Sequence, residues 1–268
     1  MTDRVADVPS IVRVLSHRPA GLLSDIDGTL SHIAPRPDMA VVDLAAREAL
    51  QVLVRKLDVV AVVTGRSARD AARMIGVEGL LYIGNHGMEQ LVDDVVVVHP
   101  AAAAHEPAIA AVLTAVRERV RIPGVIVESK VVTGSVHFRA APDPAAAEAA
   151  VRAVLEPLAQ THGCRLTSGR MVIEVRPPVD RNKGTALDDV VAEYSLASAA
   201  FIGDDVTDLD AMRRLNTLRD AGRVDGIVVG VVGSETPPAI AAESDIVVPG
   251  VDGVVALLQA LAEALPEP

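Results

Sequence analysis

The chain has 268 residues, of which half are hydrophobic and 1% aromatic, with one cysteine and a formal net charge of −11. This length allows one large domain or two smaller ones, and the acidic balance argues against a nucleic-acid-binding protein, which normally carries a basic surface. The apolar runs are too short to cross a bilayer, and residues 1–18 lack the apolar core of a signal peptide. We therefore expect a cytoplasmic protein without a nucleic-acid or membrane partner; its oligomeric state stays open, with a monomer slightly favoured.

Short apolar strands alternate with helical patterns in the first third of the chain. Strands are predicted at 21–24, 59–63 and 81–83, and apolar residues recur at helical spacing between 46 and 57. Each strand is a continuous apolar run, which is typical of strands buried on both faces. The pattern predicts an α/β fold with a parallel sheet.

The middle of the chain follows a different order, in which helix, strand and strand occur twice in succession. This order predicts a small antiparallel sheet covered by two helices, inserted into the α/β domain as residues 104–177, with 1–103 and 178–268 forming that domain. The predicted helices are 109–120 and 144–160, and the predicted strands are 125–130, 135–139, 164–168 and 171–176.

The last third of the chain returns to the first pattern. Strands are predicted at 199–202, 227–229 and 246–248. A closing helix is predicted at 254–265, because Pro266 stands directly after it as a stop signal. The sheet is therefore predicted to contain strands from both ends of the chain.

The first predicted strand is followed directly by the residues DIDGT, 25–29. In open α/β sheets, ligands bind beyond the carboxyl ends of the strands, so Asp25 and Asp27 stand where a site is expected. Their spacing lets one carboxylate attack a substrate while the other transfers protons, and Gly28 permits a sharp exit from the strand. The alternative is a strand that simply ends in an Asp-Gly turn, but the position of the whole string favours the functional interpretation.

A second acidic segment, GDDVTD at 203–208, follows the predicted strand 199–202. Carboxylates this close repel one another unless a cation binds between them, and Mg²⁺ is the natural partner because it prefers oxygen ligands. The alternative is an acidic helix N-terminus, which the helix dipole stabilises. Two separate acidic strand ends favour a metal site.

Two further segments offer groups that hold an anion. Thr64 ends the second strand, and its hydroxyl with the amides of Gly65 and the next residue could hold a phosphoryl oxygen. Lys183 begins a predicted helix and would supply a positive charge for a phosphate or for the nucleophile. Each signal is weak alone, since Thr-Gly turns and solvated lysines are common.

Taken in this order, the four segments resemble the haloacid-dehalogenase superfamily over the whole α/β part of the chain. The resemblance implies a Rossmann-like core with a parallel sheet and an inserted α+β cap of the C2 type. It implies that Asp25 is the nucleophile and Asp27 the general acid and base, with Thr64 and Lys183 holding the phosphoryl group. It further implies Mg²⁺ bound by Asp25, the Asp27 carbonyl and Asp204, with Asp205 or Asp208 acting through water.

Strand alternation gives the predicted cap sheet one apolar face and one charged face. The apolar positions are expected to pack on the two helices, and they are Val125, Val127, Val136, Phe138, Met171, Ile173 and Val175. The charged face pairs Glu128 with Lys130, His137 with Arg139, and Glu174 with Arg176. Such a face is either ordinary solvated surface or a surface that binds sugar hydroxyls through directional hydrogen bonds.

Further segments narrow the resemblance to the trehalose-6-phosphate phosphatase family. They are GNHG at 84–87, ESK at 128–130, HFR at 137–139, EVRP at 174–177 and NKG at 182–184. In that family the cap residues corresponding to Glu128, Lys130 and Glu174 contact the glucose unit remote from the phosphate. Weaker candidates for substrate binding are Arg66, His86, His137 and Arg139. Two positions depart from the family pattern, since Leu209 replaces an acidic residue and Thr64 a serine.

Three functions therefore stay open, led by hydrolysis of trehalose 6-phosphate to trehalose and phosphate. A second is hydrolysis of sucrose phosphate or a glycosyl phosphoglycerate, although a phosphoglycerate carboxylate would favour extra cations over Glu128 and Glu174. A third is a sugar-phosphate sensor without catalysis, which the presence of both Asp25 and Asp27 disfavours.

Overall fold

The computed structural model describes residues 7–169 and 171–267, and all elements below are counted within those ranges. Residues 1–6, Arg170 and Pro268 lie outside the described residues, and with them the start of the segment assessed for a signal peptide. The described helices are α1 (Val8–Leu15), α2 (Leu44–Lys56), α3 (Ala68–Ile75), α4 (Pro100–Ala103), α5 (Glu106–Arg119), α6 (Pro144–His162), α7 (Lys183–Glu193), α8 (Leu209–Asp220), α9 (Pro238–Glu243) and α10 (Gly250–Ala264). The described strands are β1 (Ala20–Ser24), β2 (Val59–Val63), β3 (Leu81–Gly84), β4 (Glu89–Val92), β5 (Val95–Val98), β6 (Ile126–Ser129), β7 (Gly134–His137), β8 (Arg165–Gly169), β9 (Val172–Arg176), β10 (Ser198–Gly203), β11 (Asp225–Val232) and β12 (Ile246–Pro249).

The larger sheet has the strand order β12-β11-β10-β1-β2-β3-β4-β5 in the described part of the chain. The six strands from β12 to β3 are parallel, and β4 pairs with β3 in the antiparallel sense. From β1 the chain continues toward β2 on one side of the sheet, whereas from β10 it continues toward β11 on the other. The strand order thus reverses between β1 and β10, at the centre of the sheet.

Both faces of this sheet are covered by helices, because its central strands are apolar on both faces. Leu22 packs in a buried cluster with α1, α2, α3 and α10, while its neighbour Leu23 packs in a second cluster with α7, α8 and α9. Alternate residues of a strand point to opposite faces, so two apolar faces require two helical layers. The predicted α/β fold with a mainly parallel sheet is confirmed.

The smaller sheet has the order β6-β7-β9-β8, with every neighbouring pair antiparallel. Val136, Ile173 and Val175 point to one face and pack with apolar residues of α5 and α6 in a third buried cluster. The longer helix, α6, is capped at its start by the Asp143 carboxylate and ends at Gly163, whose φ of +67° suits glycine. The predicted antiparallel sheet with two covering helices is confirmed.

The described residues group into two compact units. One unit comprises the residues before Ala34 together with Ala40–Val96 and the residues from Arg181 onward, and it holds the larger sheet. The other comprises Ala34–Met39 and Val97–Asp180, and it holds the smaller sheet. The cap boundaries 104 and 177 stay a prediction. Within the part of the chain that the structure describes, no helix combines the length and apolar character needed to cross a membrane.

The structure differs from the sequence prediction at several elements. Met171 was expected to face the helices of the smaller sheet, but it is exposed and precedes β9 with a φ of +58°. Arg139 was expected on a strand with His137, but β7 ends at His137 and Arg139 lies in the following turn. Helix α1 and the strands β4 and β5 were not predicted, and α10 begins four residues earlier than expected.

Candidate active site

Asp25 and Asp204 lie at the ends of two adjacent parallel strands. Strands β1 and β10 pair from Ala20 with Ser198 to Ser24 with Ile202, and the Asp25 amide then donates to the Ile202 carbonyl oxygen at 2.9 Å. These are the two strands between which the strand order reverses. Ligands of open α/β sheets bind at such switch points, beyond the carboxyl ends of the strands.

Gly28 allows the two acidic segments to approach each other closely. Its φ is +95°, and a Cβ at this position would lie 2.2 Å from a carboxylate oxygen of Asp204. The Thr29 hydroxyl donates to the other Asp204 oxygen at 3.2 Å. The strand β1 is therefore followed by an Asp-Gly turn, as in the alternative interpretation of DIDGT. This turn packs directly against Asp204 of the second acidic segment.

Lys183 is buried between two carboxylates. Its Nζ donates to Asp25 Oδ1 at 2.6 Å and to Asp208 Oδ1 at 2.7 Å. Burial alone would lower the pKa of Lys183, but the Asp208 and Asp25 carboxylates outweigh it and raise the pKa above its usual range. The two carboxylates therefore favour the charged form of Lys183. Lys183 is the first residue of α7, whose start is held by a capping box between Asn182 and Thr185.

Asp25, Asp204 and Asp208 form a buried group in which one oxygen of each lies within 4.8 Å of the others. Burial raises the pKa of the Asp25 carboxyl well above its usual range, and Lys183 only partly opposes this effect. The neighbouring carboxylates of Asp208, Asp204 and Asp27 raise that pKa further. Such mutual repulsion is relieved by a bound cation. An all-oxygen donor set suits Mg²⁺, so the residues present fit the predicted metal.

The structure distinguishes the two remaining carboxylates of the second acidic segment. Asp208 is fully buried, and its Oδ2 accepts hydrogen bonds from the amides of Asp204 and Asp205, both at 3.0 Å. Asp205 is partly exposed and is not a member of the buried group. Asp208 thus fixes the turn that carries Asp204, in addition to pairing with Lys183.

Thr64 lies in a tightly packed turn at the end of β2. Its hydroxyl accepts from the Arg66 amide at 3.2 Å, and its carbonyl oxygen accepts from the His86 amide at 2.9 Å. His86 and Asn85 both have positive φ, of 55° and 49°. Residues held at positive φ, such as Asn85 and His86, concentrate at functional sites, where the surrounding packing holds them. Gly65 lies between Thr64 and Arg66, the two residues that the 3.2 Å hydrogen bond joins.

The guanidinium of Arg66, a predicted substrate contact, binds Asp27 in the structure. Nε donates to Asp27 Oδ2 and Nη2 to Asp27 Oδ1, both at 2.6 Å. The pair therefore links the turn after β2 to the segment after β1. The sequence carried no signal for this contact, since the two residues are 39 positions apart.

The predicted substrate residues of the smaller sheet form a charged cluster on its face opposite the helices. Lys130 is buried, and its Nζ lies 3.8 Å from carboxylate oxygens of both Glu128 and Glu174. His137 Nε2 lies 3.0 Å from Glu128 Oε2. The register places Glu128, Ser135 and Glu174 side by side across β6, β7 and β9. Arg139 lies in the turn after β7 and not on a strand.

Two residues that support the site were not singled out from the sequence. Arg181 donates through Nε and Nη2 to the Gly87 carbonyl oxygen at 3.1 and 2.9 Å, and it also pairs with Asp189. Glu89 is buried, and its Oε1 accepts from the Ala68 amide at 2.7 Å, at the start of α3. The Arg181 contact holds the turn at 84–87, and the Glu89 contact joins the start of β4 to the start of α3. The proximity of Glu89 to the GNHG segment was the available sequence signal.

Comparison with known proteins identifies similar chains. A model of the family described as Trehalose-phosphatase matches residues 23–239. The trehalose-phosphate phosphatase of Mycobacterium marinum is 36% identical over 221 residues, which cover 77% of this chain and 56% of that protein. The protein of the same name from Mycobacterium tuberculosis (strain H37Rv) is 35% identical over 221 residues, with 78% and 56% covered. The chain thus spans about half the length of these curated relatives.

Solved structures share the fold at lower sequence identity. A "trehalose-6-phosphate phosphatase related protein" has a TM-score of 0.76 and 23% identity, with 91% of this chain and 97% of that chain covered. The C-terminal domain of Candida albicans trehalose-6-phosphate phosphatase has a TM-score of 0.77 and 21% identity, with 97% of each covered. The C-terminal domain of a C. albicans trehalose synthase regulatory protein has a TM-score of 0.70 and 14% identity, with 94% and 97% covered. Fold alone therefore does not decide between catalysis and regulation.

Proposed function

The chain belongs to the trehalose-phosphatase family, and on this premise we propose that it is a phosphatase that hydrolyses trehalose 6-phosphate to trehalose and inorganic phosphate. One observation carries the proposal: Asp25 is buried beside Lys183, within 4.8 Å of oxygens of Asp204 and Asp208, at the switch point of the sheet. A sensor without catalysis would need the binding groups but not the pair of Asp25 and Asp27. The presence of both favours catalysis.

Asp25 is proposed to carry the phosphoryl group between two displacement steps. In the first, an Asp25 carboxylate oxygen bonds to phosphorus, the bond from phosphorus to the sugar oxygen breaks, and Asp27 gives that oxygen its proton. In the second, a water oxygen bonds to phosphorus, its proton passes to Asp27, and the bond to Asp25 breaks to release phosphate. Asp25 and Asp27 thereby return to their initial states.

Attack of one anion on another requires local positive charge. Lys183 supplies one such charge at 2.6 Å from Asp25. The Thr64 hydroxyl and the Gly65 amide are proposed to hold phosphoryl oxygens, since turns at strand ends offer donors to anions. Placed donors of this kind stabilise the charge that spreads over the phosphoryl oxygens during transfer.

Mg²⁺ is proposed to bind to Asp25, the Asp27 carbonyl oxygen and Asp204. When bound, it would neutralise negative charge on the carboxylates and the phosphoryl group. Asp208, held by Lys183 and two backbone amides, is proposed to orient the Asp204 turn and to contact the metal through water. Asp205 is the weaker candidate for that role because it is only partly buried.

The charged face of the smaller sheet is proposed to bind the glucose unit that lacks the phosphate. Glu128 and Glu174 offer acceptors and Lys130 offers donors, and the register keeps the two glutamates in one row. His86, His137 and Arg139 are proposed as further contacts. A glycosyl phosphoglycerate carries a carboxylate of its own, which the negative charges of Glu128 and Glu174 would repel.

Cytoplasmic location and a monomeric state stay predictions.

Glu128→Ala and Glu174→Ala are expected to lower kcat/KM for trehalose 6-phosphate by about 10- to 100-fold each, because one buried polar contact contributes about 1–3 kcal/mol. Remote contacts also align the reacting ester, so kcat falls as well as affinity. Hydrolysis of 4-nitrophenyl phosphate is expected to stay within about twofold, since that ester lacks the remote sugar. Steady-state kinetics with both substrates check this.

Glu118→Ala provides a matched control, because Glu118 is an exposed residue of α5 in the same unit. It is expected to leave both rates unchanged. An equal loss with both substrates would show that the two glutamates support the fold only. Unchanged kcat/KM for trehalose 6-phosphate in both variants would show that the charged face of the smaller sheet is not part of the substrate site.

A further inference from the structure

The Asp27 carboxylate is held by two hydrogen bonds from Arg66. Both carboxylate oxygens accept, Oδ2 from Nε and Oδ1 from Nη2, at 2.6 Å each. The Arg66 side chain is 15% exposed and that of Asp27 34%. Bidentate pairing between arginine and a carboxylate fixes the orientation of the carboxylate as well as its position, which a lysine cannot do.

Arg66 is itself fixed at both ends of its backbone. Its amide donates to the Thr64 hydroxyl at 3.2 Å, and its carbonyl oxygen accepts from the Asn85 amide at 2.8 Å. The turn at Asn85 is packed closely against this segment, because a Cβ on Gly84 would lie 2.2 Å from the Ala68 amide nitrogen. Arg66 therefore transmits the position of a rigid turn to the Asp27 carboxylate.

We infer that Arg66 is a positioning residue for Asp27, which holds the carboxyl group in the orientation that proton transfer requires. The inference rests on the proposed function, in which Asp27 protonates the leaving sugar oxygen and later accepts a proton from water. It differs from a role of Arg66 as a substrate ligand. A substrate ligand would act on affinity, whereas a residue that orients Asp27 acts on the proton-transfer steps.

The two displacement steps depend differently on Asp27, which gives the inference a distinct kinetic signature. A sugar alkoxide is a strong base and needs a proton as it leaves, so both steps with a sugar phosphate require Asp27. The 4-nitrophenolate anion leaves with its electron pair and without a proton, so Asp25 can be phosphorylated without help. The second step still needs Asp27 to accept the proton of water, whichever ester was used.

Arg66→Met is therefore expected to divide the reaction of 4-nitrophenyl phosphate into a fast and a slow phase. Stopped-flow absorbance should show a burst approaching one equivalent of 4-nitrophenolate per enzyme, followed by turnover slowed by about 10²- to 10⁴-fold, the range typical of general acid–base catalysis. With trehalose 6-phosphate, kcat should fall by a similar factor without a burst of trehalose, and KM should change less than about twofold. Arg66→Lys should show the same pattern, since it cannot bridge both oxygens.

Arg69→Met serves as the matched control, because Arg69 is an exposed arginine of α3 whose guanidinium donates to the Asp94 carbonyl oxygen. It should leave both reactions unchanged. In the Asp27→Asn background, adding Arg66→Met should cause no further loss, because a residue acting through Asp27 has no effect once Asp27 is removed.

The inference would be overturned by a raised KM with unchanged kcat, which marks Arg66 as a substrate ligand. It would also be overturned if burst rate and burst amplitude both fell in Arg66→Met and in Arg66→Lys, which marks a structural role. If Arg66→Met lowered kcat further in the Asp27→Asn background, Arg66 would act independently of Asp27, and the inference would be overturned as well. Failure of the wild type on trehalose 6-phosphate would refute the proposed substrate alone, because the burst with 4-nitrophenyl phosphate is measured without any sugar.

Discussion

Asp25→Asn is expected to abolish turnover of trehalose 6-phosphate, with a fall in kcat of at least about 10³-fold. The amide has the shape of the carboxylate but cannot attack phosphorus, and no phosphoenzyme can form on it. Burial raises the pKa of the Asp25 carboxyl and the neighbouring carboxylates raise it further, so a neutral replacement also removes repulsion. Lys183 keeps Asp208 as its partner at 2.7 Å. The melting temperature should therefore change by less than about 4 °C.

Phosphate release and thermal unfolding of the purified variant measure these two quantities. Asp220→Asn is the control, since Asp220 lies at the exposed end of α8. It should keep full activity. Native turnover by Asp25→Asn would refute covalent catalysis at this residue, while a large fall in melting temperature would show that the charge has a structural role instead.

Removal of divalent metal is expected to produce a loss of similar size. Exhaustive chelation should reduce turnover to background, and added Mg²⁺ should restore it, because the buried acidic group otherwise repels a phosphate ester. Asp204→Ala should prevent the restoration, since Asp204 belongs to that group. Asp205→Ala should have a smaller effect, because Asp205 lies outside it.

Binding of the metal can be followed without any substrate. Mg²⁺ at about 100 times its dissociation constant stabilises the folded protein by roughly 2.7 kcal/mol. The melting temperature of the wild type should therefore rise with Mg²⁺, and that of Asp204→Ala should not. Full activity after chelation, or an equal rise in the variant, would contradict the assignment of the buried group as a metal site.

The strands of the larger sheet were predictable because their burial leaves a direct mark on the sequence. Strand β2 has the predicted bounds, since five consecutive apolar residues form one buried strand. The hairpin of β4 and β5 was missed although β5 is a run of four valines, because β4 begins with Glu89 and Gln90 and gives no apolar run to pair with it. Its turn, Asp93-Asp94, has positive φ at both residues and was the available signal.

Motifs predicted candidate residues for the site, but not how these residues contact one another. The position of Asp25 and Asp204 after strands implied that they meet, because parallel strands end at one edge of the sheet. The contacts of Arg66 with Asp27 and of Arg181 with Gly87 depend on loops distant in sequence. No periodic pattern records such tertiary contacts, so the sequence did not predict the pairing of Arg66 with Asp27. Met171 was placed on a strand because alternation was extended one residue into a turn.

The most direct test of the central claim is a comparison of kcat/KM across phosphate esters at saturating Mg²⁺. The panel contains trehalose 6-phosphate, sucrose 6-phosphate, glucosyl-3-phosphoglycerate and glucose 6-phosphate. We expect trehalose 6-phosphate to exceed each of the others by at least about 10-fold, because the proposed contacts with Glu128, Lys130 and Glu174 are specific for its second glucose unit. A higher value for another ester, or equal values across the panel, would contradict the proposed substrate.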